Sequence, residues 1–563
     1  MDRYVPLPPL PARISRLNEL ACDLWWSWNA KARDVFRDLD YPLWRFTDHN
    51  PVLLLHLVET DRLEHAATDP EFQRLYDEAV AALDLVRAGV GTWWSHRAPA
   101  TDVMPPVVAT APGFSFHQAL PLDSDSLAVA AGDFLKEASD LGVPVVAVGL
   151  MHPRRYEHQR LSGEGWQEES NEILDWSDMP ITPAFSPDGS RMAFAIQMPD
   201  GDVRVQVWLV RAGRATVYLL DPDLPENAPA DRRLSAAFCP SGTDAAARRR
   251  TLLKAGTVRT LAILGIDPAA ALDASEGIPP GVHVPGWLAR DVAVLVERFV
   301  GLDWRDHQDD EEWWTAVSAI PDAELWAARQ RLRGFLIDFT RARARRRWTR
   351  EQASGAVLVA QGTLLDPAAL TIGYASRVAD DLRPDVIFHD AERLAAILTA
   401  RRRPVQIVFA GRAHAADEGA KRHLQRLFTR ALDPMFGGRI AFLEDYDLHA
   451  ARLLVQGCDL WLSMPPAGGP APLGALKAAV NGAPALVIEP SAEIEAAAWA
   501  RAFYRSLEEE IVPAFYRRDR AGVPVDWVGR VRETVSQAIP RVSARRGVKS
   551  ITERLYNAAL RNV

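Results

Sequence analysis

The stretch DFLKEASDLGVPVVAVGLM, residues 133–151, decides the fold. Residues 133–141 have helical character, Gly142-Val143-Pro144 ends the helix, and a bare apolar run follows at 145–151. An apolar run after a helix and a tight turn is typical of a parallel strand that is buried on both faces. The stretch therefore predicts an α/β fold.

The second half of the chain repeats this alternation of strand and helix. Short apolar runs predict strands at 369–375, 405–410, 440–443, 460–464 and 485–488, with helical stretches between them. This order indicates a parallel, doubly wound sheet, in which ligands bind at the carboxyl ends of the strands.

The first half begins with apolar residues at helical spacing, which predict one amphipathic helix over 14–28. Between 267 and 280 the chain is rich in Ala, Gly and Pro and has no apolar period, so the main domain boundary is expected there. The expected domains are a helical region at 1–97, a shortened Rossmann-like domain at 98–270, a second Rossmann-like domain at 271–540 and a terminal helix at 541–563.

Composition excludes several classes of protein. The net charge of −9 gives no general attraction to nucleic acid or to an anionic membrane. Cys22, Cys239 and Cys458 form no CxxC motif and are odd in number, which argues against a disulfide framework or a zinc site. The sequence shows no signal peptide or membrane helix, so a cytoplasmic protein is expected.

Several stretches occur in the order of one known family. They are LNELACDLWWSWN (17–29), HNPV (49–52), AGDFLKEASDLGVP (131–144), YLLD (218–221), GVHVP (281–285), QIVFAGRAH (406–414), FLEDYD (442–447) and GALKAAVNG (474–482). Together they resemble the bacterial and archaeal α-glucan phosphorylases of glycosyltransferase family 35. The resemblance implies two Rossmann-like domains facing a cleft, the GT-B architecture, with the last helix packing back on the first domain.

The resemblance also implies a reaction and a cofactor. Such phosphorylases split α-1,4-glucan with inorganic phosphate to give glucose 1-phosphate, using pyridoxal 5′-phosphate bound to a lysine. Lys477 takes the position of that lysine, Arg377 matches a phosphate-binding arginine, and Tyr446 is expected in the pocket. The alternatives are an ordinary surface lysine and a solvated loop arginine. His283 and His414 are interpreted as hydrogen-bonded structural histidines.

Four departures from the family pattern fall on its active site. Its glycine-rich loop is replaced by DSLA at 125–128, its Tyr-Lys pair by Asp381 and Leu382, and its acidic and hydroxyl motif by GPAPLG at 469–474. The fourth is a missing histidine-containing segment after Asp267, which shortens the N-terminal domain. Glycines let backbone N–H groups approach a phosphate, and a carboxylate in their place repels it.

Three hypotheses remain open from the sequence. The first is a catalytically degenerate phosphorylase homologue that binds α-glucan, maltodextrin or a partner enzyme of glucan metabolism. The second is a working phosphorylase that relies on Lys477 and Arg377. The third is a structural or regulatory subunit without glucan affinity. Self-association is compatible with each.

Overall fold

A computed structural model gives the structure of the protein. It describes residues 5–98, 104–122, 125–152, 155–235, 244–274, 277–278, 281–351, 354–378, 384–464, 472–487 and 496–561. The predicted α/β class with parallel sheets is confirmed. In the described part of the chain, no helix is both long enough and apolar enough to cross a membrane.

Twenty α-helices and fourteen strands are present in the described residues. The helices are α1 Leu17–Ala21, α2 Ala30–Leu39, α3 Tyr41–Phe46, α4 Pro51–Leu57, α5 Thr60–Thr68, α6 Pro70–Ala88, α7 Ser126–Asp140, α8 Asp244–Leu264, α9 Val284–Trp287, α10 Arg290–Phe299, α11 Asp322–Glu351, α12 Gly355–Ala360, α13 Ala391–Leu398, α14 Glu418–Leu432, α15 Leu448–Gly457, α16 Leu473–Val480, α17 Ala496–Arg505, α18 Val512–Tyr516, α19 Val525–Val542 and α20 Ala544–Arg561. The strands are β1 Val107–Thr110, β2 Val145–Leu150, β3 Arg155–Leu161, β4 Gln167–Ile173, β5 Thr182–Pro183, β6 Ala193–Met198, β7 Gly201–Ala212, β8 Ala215–Asp221, β9 Ala270–Asp273, β10 Leu370–Val378, β11 Val405–Ala413, β12 Ile440–Leu443, β13 Leu460–Ser463 and β14 Ala485–Val487.

The chain forms two compact units. The N-terminal unit comprises Met1–Tyr156, Asn171–Gly286 and Ala544–Val563, and the C-terminal unit comprises Glu157–Ser170 and Trp287–Ser543. The four domain ranges expected from the sequence remain predictions.

The N-terminal unit is built on a seven-stranded sheet. Its strand order is β5-β7-β8-β2-β1-β9, with β6 paired to β7. Strands β8, β2, β1 and β9 run parallel, whereas the hairpins around β7 are antiparallel. The strand predicted within residues 133–151 is β2, and its side chains at Val145, Ala147, Val148 and Leu150 are buried. Helix α7 is buried along most of its length, which fits a helix covering the face of a parallel sheet.

One prediction for the N-terminal half is wrong in detail. The helix expected over 14–28 is broken into α1 and a short 3₁₀ turn at Leu24–Ser27. The cause is the buried Asp23, whose Oδ1 accepts hydrogen bonds from Trp25 N (3.1 Å) and from Gly213 N (2.7 Å). Strand β9 lies within residues 267–280, where the sequence shows no apolar period, and it pairs in parallel with β1. Four residues are too few to show an apolar period. The domain boundary expected in this segment stays a prediction.

The C-terminal unit contains a five-stranded, fully parallel sheet. Its order is β12-β11-β10-β13-β14, which confirms the predicted strands and their parallel arrangement. The chain proceeds from β10 to β12 in one direction and resumes at β13 on the other side of β10. The gap between the carboxyl ends of β10 and β13 is therefore the topological switch point, where open α/β sheets bind ligands.

Candidate functional site

The lysine singled out by sequence lies on α16, directly after the strand β13 that borders the switch point. Its side chain is buried, with 6% of the residue exposed, so it is not an ordinary surface lysine. The Lys477 Nζ lies 3.9 Å from the centroid of the Trp287 ring. At this distance the indole face attracts an ammonium group, and the attraction grows as water is excluded. The geometry therefore supplies a positioned, dehydrated amine.

Asn481 holds the tryptophan in place beneath the lysine. Its Oδ1 accepts from Ala289 N at 2.8 Å, and its Nδ2 donates to the carbonyls of Trp287 (3.1 Å) and Lys477 (2.9 Å). Gln456 Nε2 donates to the same Trp287 carbonyl at 3.0 Å. Because the oxygen and the nitrogen of this buried amide are both hydrogen-bonded, Asn481 fixes the spacing between α16 and the segment that carries Trp287.

Two buried arginines on α11 support this arrangement from below. Arg329 donates to the carbonyls of Gln456 (2.7 Å) and Asn481 (2.8 Å). Burial lowers the pKa of Arg329, and the nearby Asp459 opposes that shift. Arg333 forms a fully buried ion pair with Asp459 at 2.7 Å. Arg329 thus supports Asn481 through carbonyl hydrogen bonds, and the nearby Arg333 has its buried charge paired, as buried charges must be.

Arg377 lies near the end of β10, where its backbone pairs in register with Arg412 on β11. Because β10 and β13 are neighbours, the strand that carries Arg377 borders the same switch point as Lys477. The Arg377 side chain lies outside the described residues, as do Asp381, Leu382 and residues 465–471. Its role in holding phosphate stays a prediction.

Tyr446 follows β12, the edge strand of the sheet, and is half-buried. Burial, with Asp447 and Cys458 acting in the same direction, raises its pKa above the ordinary tyrosine value. The preceding Asp445 adopts φ +54°, and its carboxylate accepts from Gln159 N and lies 2.8 Å from His158 Nδ1. The expected place of Tyr446 in a cofactor pocket stays a prediction.

In the N-terminal unit, the sequence resemblance predicts the family's glycine loop at residues 125–128, which form the start of α7. Asp125 is the N-cap residue of this helix, and its Oδ1 accepts a hydrogen bond from Ala128 N at 2.7 Å. Aspartate is a preferred N-cap because its carboxylate satisfies a backbone donor that the helix leaves free. A negative charge of the protein itself therefore occupies the anion-binding end of this helix.

The two histidines noted in the sequence are hydrogen-bonded, as interpreted. His283 Nε2 lies 3.0 Å from Asp140 Oδ2, and Trp28 Nε1 donates to the other carboxylate oxygen at 3.0 Å. His414 Nδ1 accepts from Ala416 N at 3.0 Å. Both histidines serve local structure through these contacts.

Sequence reasoning missed the residues that position the lysine. Trp287 lies 190 positions before Lys477 in the chain, and a single tryptophan among 18 carries no signal of its partner. Asn481 was part of a recognised stretch, but its contact with the Trp287 segment becomes visible only in the folded unit.

The C-terminal sheet is parallel and doubly wound, and a buried lysine lies beside its switch point. These features define the class of open-sheet α/β proteins that bind a ligand at the carboxyl ends of their strands. Comparison with known proteins specifies the family. The chain is 30% identical to a glycogen phosphorylase of Aquifex aeolicus, over 96% of this chain and 98% of that protein. It is 27% identical to a maltodextrin phosphorylase of Thermococcus litoralis, over 98% of this chain and 82% of that protein.

A glycogen phosphorylase of Mycobacterium bovis is 28% identical, over 99% of this chain and 83% of that protein. Residues 10–120 match a family model described as a protein of unknown function, DUF3417. The chain therefore belongs to the glycogen phosphorylase family.

Proposed function

We propose that this protein is a cytoplasmic member of the α-glucan phosphorylase family that binds α-glucan but does not catalyse phosphorolysis. The observation that carries the proposal is the N-cap of α7. The resemblance assigns the start of this helix to a glycine loop that approaches phosphate, and here the Asp125 carboxylate takes the hydrogen bond of Ala128 N.

The electrostatic consequence is large. Two unit negative charges about 4 Å apart repel by roughly 4 kcal/mol at an effective dielectric constant of 20, and a phosphate dianion doubles that cost. Phosphorolysis needs two phosphates held close together, one from the substrate and one from the cofactor. A carboxylate that already satisfies the helix N-terminus opposes this arrangement and competes for the same N–H group.

Further support comes from sequence. Asp381 and Leu382 replace a tyrosine and a phosphate-holding lysine, and GPAPLG at 469–474 lacks the acidic and hydroxyl side chains of the family. The alignment with the Aquifex protein spans 688 positions, more than the 563 residues of this chain. It must therefore contain gaps on this side, as a shortened N-terminal domain requires.

The rival proposal is a working phosphorylase that uses pyridoxal 5′-phosphate. It is favoured by one observation, the buried and rigidly positioned amine of Lys477 over Trp287. A buried lysine fits the covalent attachment of the cofactor's aldehyde. The indole face, however, stabilises the protonated amine, whereas covalent attachment of the cofactor would require the neutral amine. The cofactor would supply a phosphate as proton relay. Of the positions assigned to hold phosphate, Arg377 is kept, whereas the glycine loop and the Tyr-Lys pair are altered.

Absorbance and glucan retention of the purified full chain test these alternatives together. We expect no pyridoxal absorbance band after incubation with pyridoxal 5′-phosphate, and retention on immobilised amylose. A band that persists in Lys31→Ala, which removes an exposed lysine, but disappears in Lys477→Ala would favour the working enzyme. Elution of the wild-type protein without any retention would favour the regulatory subunit and contradict glucan binding.

A further inference from the structure

The outer face of α8, in the N-terminal unit, carries three cations and one apolar side chain. Arg250, Lys254 and Arg259 are exposed, and Val258 is 70% exposed. Because successive residues of a helix are rotated by about 100°, Val258 lies on this face between Lys254 and Arg259. The opposite face, which includes Leu252, is buried and packs on β2, β6 and β8. We call the four exposed residues the α8 face.

The positive charge of the α8 face is not balanced locally. Its three cations form no ion pair within the described part of the chain, whereas the neighbouring Arg248 pairs with Asp200 and Asp231. From Ala245 to Leu264 the sequence of the helix contains no acidic residue. On a chain whose net charge is −9, this face is therefore a local positive surface that attracts an acidic one.

A surface of the C-terminal unit has the complementary properties. The sequence LDWRDHQDDEE at 302–312 contains six carboxylates and one arginine, and we call this segment the acidic turn. It follows α10, and its first residue, Leu302, is 83% exposed. Asp310, Glu311 and Glu312 are also exposed. The acidic turn thus presents negative charge beside an exposed aliphatic side chain.

The shape of the acidic turn is fixed by contacts at its end. Trp314 is buried, and its Nε1 donates to the His307 carbonyl at 2.9 Å. Asp310 Oδ1 accepts from the backbone N of Glu312 at 3.1 Å and of Trp313 at 3.2 Å. A segment that is already ordered loses little conformational entropy when a partner binds it.

We propose that the α8 face of one copy of this chain binds the acidic turn of a second copy. The two surfaces carry opposite charges, and each has one exposed aliphatic side chain, so Val258 packs against Leu302 while the cations meet the carboxylates. Because the two surfaces differ, the contact is heterologous and joins the copies head to tail. The inference does not rest on glucan binding or on Lys477.

Sedimentation velocity of the full chain at increasing protein concentration tests the proposal. We expect the wild type to self-associate in about 0.1 M salt and to be monomeric in about 1 M salt, because the screening length falls from about 10 Å to about 3 Å. A basic-face variant carries Arg250→Glu and Lys254→Glu, and an acidic-turn variant carries Glu311→Lys and Glu312→Lys. Each variant alone should raise the dissociation constant about tenfold or more, because like charges then face each other.

Mixing the two variants gives the sharpest comparison. In the mixture the reversed α8 face of one variant meets the reversed acidic turn of the other, so association should recover. A control variant with Arg401→Glu and Arg402→Glu changes the net charge as the basic-face variant does, at exposed positions of the C-terminal unit, and should associate like the wild type. All the substituted side chains are exposed, so every variant should keep the wild-type melting temperature.

Three results would overturn the proposal. The first is a wild-type protein that stays monomeric at every concentration in low salt, which would leave the α8 face to an acidic partner of another kind. The second is self-association of the basic-face or acidic-turn variant with the wild-type dissociation constant. The third is a mixture of these two variants that remains monomeric. None of these results bears on the retention of the protein by amylose, so the proposed function is tested separately.

Discussion

Replacing Arg545 with methionine should loosen the C-terminal helix α20 from the body of the N-terminal unit. Arg545 Nη1 donates to Glu137 Oε1 on α7 at 3.0 Å, and the side chains are only 6% and 0% exposed. Next to this pair, Ala544 N donates to the Val282 carbonyl at 2.9 Å. The ion pair is thus a buried charged contact between α20 and α7.

The expected cost follows from the burial of the partner that remains. Methionine fills a similar volume but leaves the Glu137 carboxylate inside the protein without its cation. Removing one partner of a buried pair typically costs about 3–5 kcal/mol. Since about 1.4 kcal/mol is a factor of ten, the lower bound corresponds to an about hundredfold increase in the opening of α20.

The cost should also depend on pH. Burial raises the pKa of Glu137, Arg545 and His283 oppose that rise, and Asp140 adds to it. Without Arg545 the pKa rises further. A carboxyl group whose pKa is higher in the folded than in the unfolded state binds its proton more tightly when folded, so stability falls as pH rises towards the folded value. The penalty in the variant should therefore be larger at pH 8 than at pH 5.

Hydrogen exchange measured by mass spectrometry on peptides covering residues 544–556 reports this opening directly. Arg554→Met, an exposed position on the same helix, serves as the matched control and should exchange like the wild type. The double variant with Glu137→Gln should recover part of the protection, because it removes the stranded charge. Exchange rates are corrected for the intrinsic rate at each pH. A corrected rate in Arg545→Met that stays within twofold of the wild type, or a ratio of variant to wild type that is the same at pH 5 and pH 8, would refute the reasoning.

Two further predictions concern buried positions of the N-terminal unit, and the first uses Gly334 on α11 of the C-terminal unit for comparison. Gly132→Ala should lower the free energy of unfolding by about 3 kcal/mol, because the new Cβ would lie 1.9 Å from the Ser115 carbonyl oxygen. Gly334→Ala should instead raise it by about 0.5–1 kcal/mol, because Gly334 is a helical position with open space around its Cβ. Urea titration compares the two, and equal midpoints would contradict the packing argument. Burial raises the pKa of Asp221 to about 6, although the hydrogen bonds that its carboxylate accepts lower it. Deprotonation of this group should therefore reduce the free energy of unfolding by about 3 kcal/mol as pH rises from 4 to 7. This loss of stability with rising pH should disappear in Asp221→Asn. An unchanged loss in that variant would show that another group causes it.

The sequence was sufficient for the parallel strands of the C-terminal sheet, because each contains a short apolar run that is separated from the next by a helical stretch. It was insufficient wherever a distant residue decides the local structure. The break after α1 depends on Asp23 bonding to Gly213, 190 positions later in the chain. Strand β9 depends on pairing with β1 rather than on its own four residues. Residue propensities and the spacing of apolar residues are local properties of the sequence, so they do not report contacts between distant residues.

The same limit applies to the candidate site. Lys477 was found because it lies within a contiguous stretch that resembles the family. Trp287 was not, because its relation to the lysine arises only when α16 packs on the segment before α10. Asp125 was read from the sequence as a lost glycine, whereas its bond to Ala128 N shows how the helix end is satisfied without phosphate.

The release of glucose 1-phosphate tests the central claim most directly. Purified full-length protein, supplied with pyridoxal 5′-phosphate, is incubated with maltoheptaose and with or without inorganic phosphate, and glucose 1-phosphate is measured enzymatically. We predict no release above that of the Lys477→Ala variant in either condition. Phosphate-dependent release by the wild type that is lost in Lys477→Ala and kept in Lys31→Ala would contradict the claim and establish a working phosphorylase.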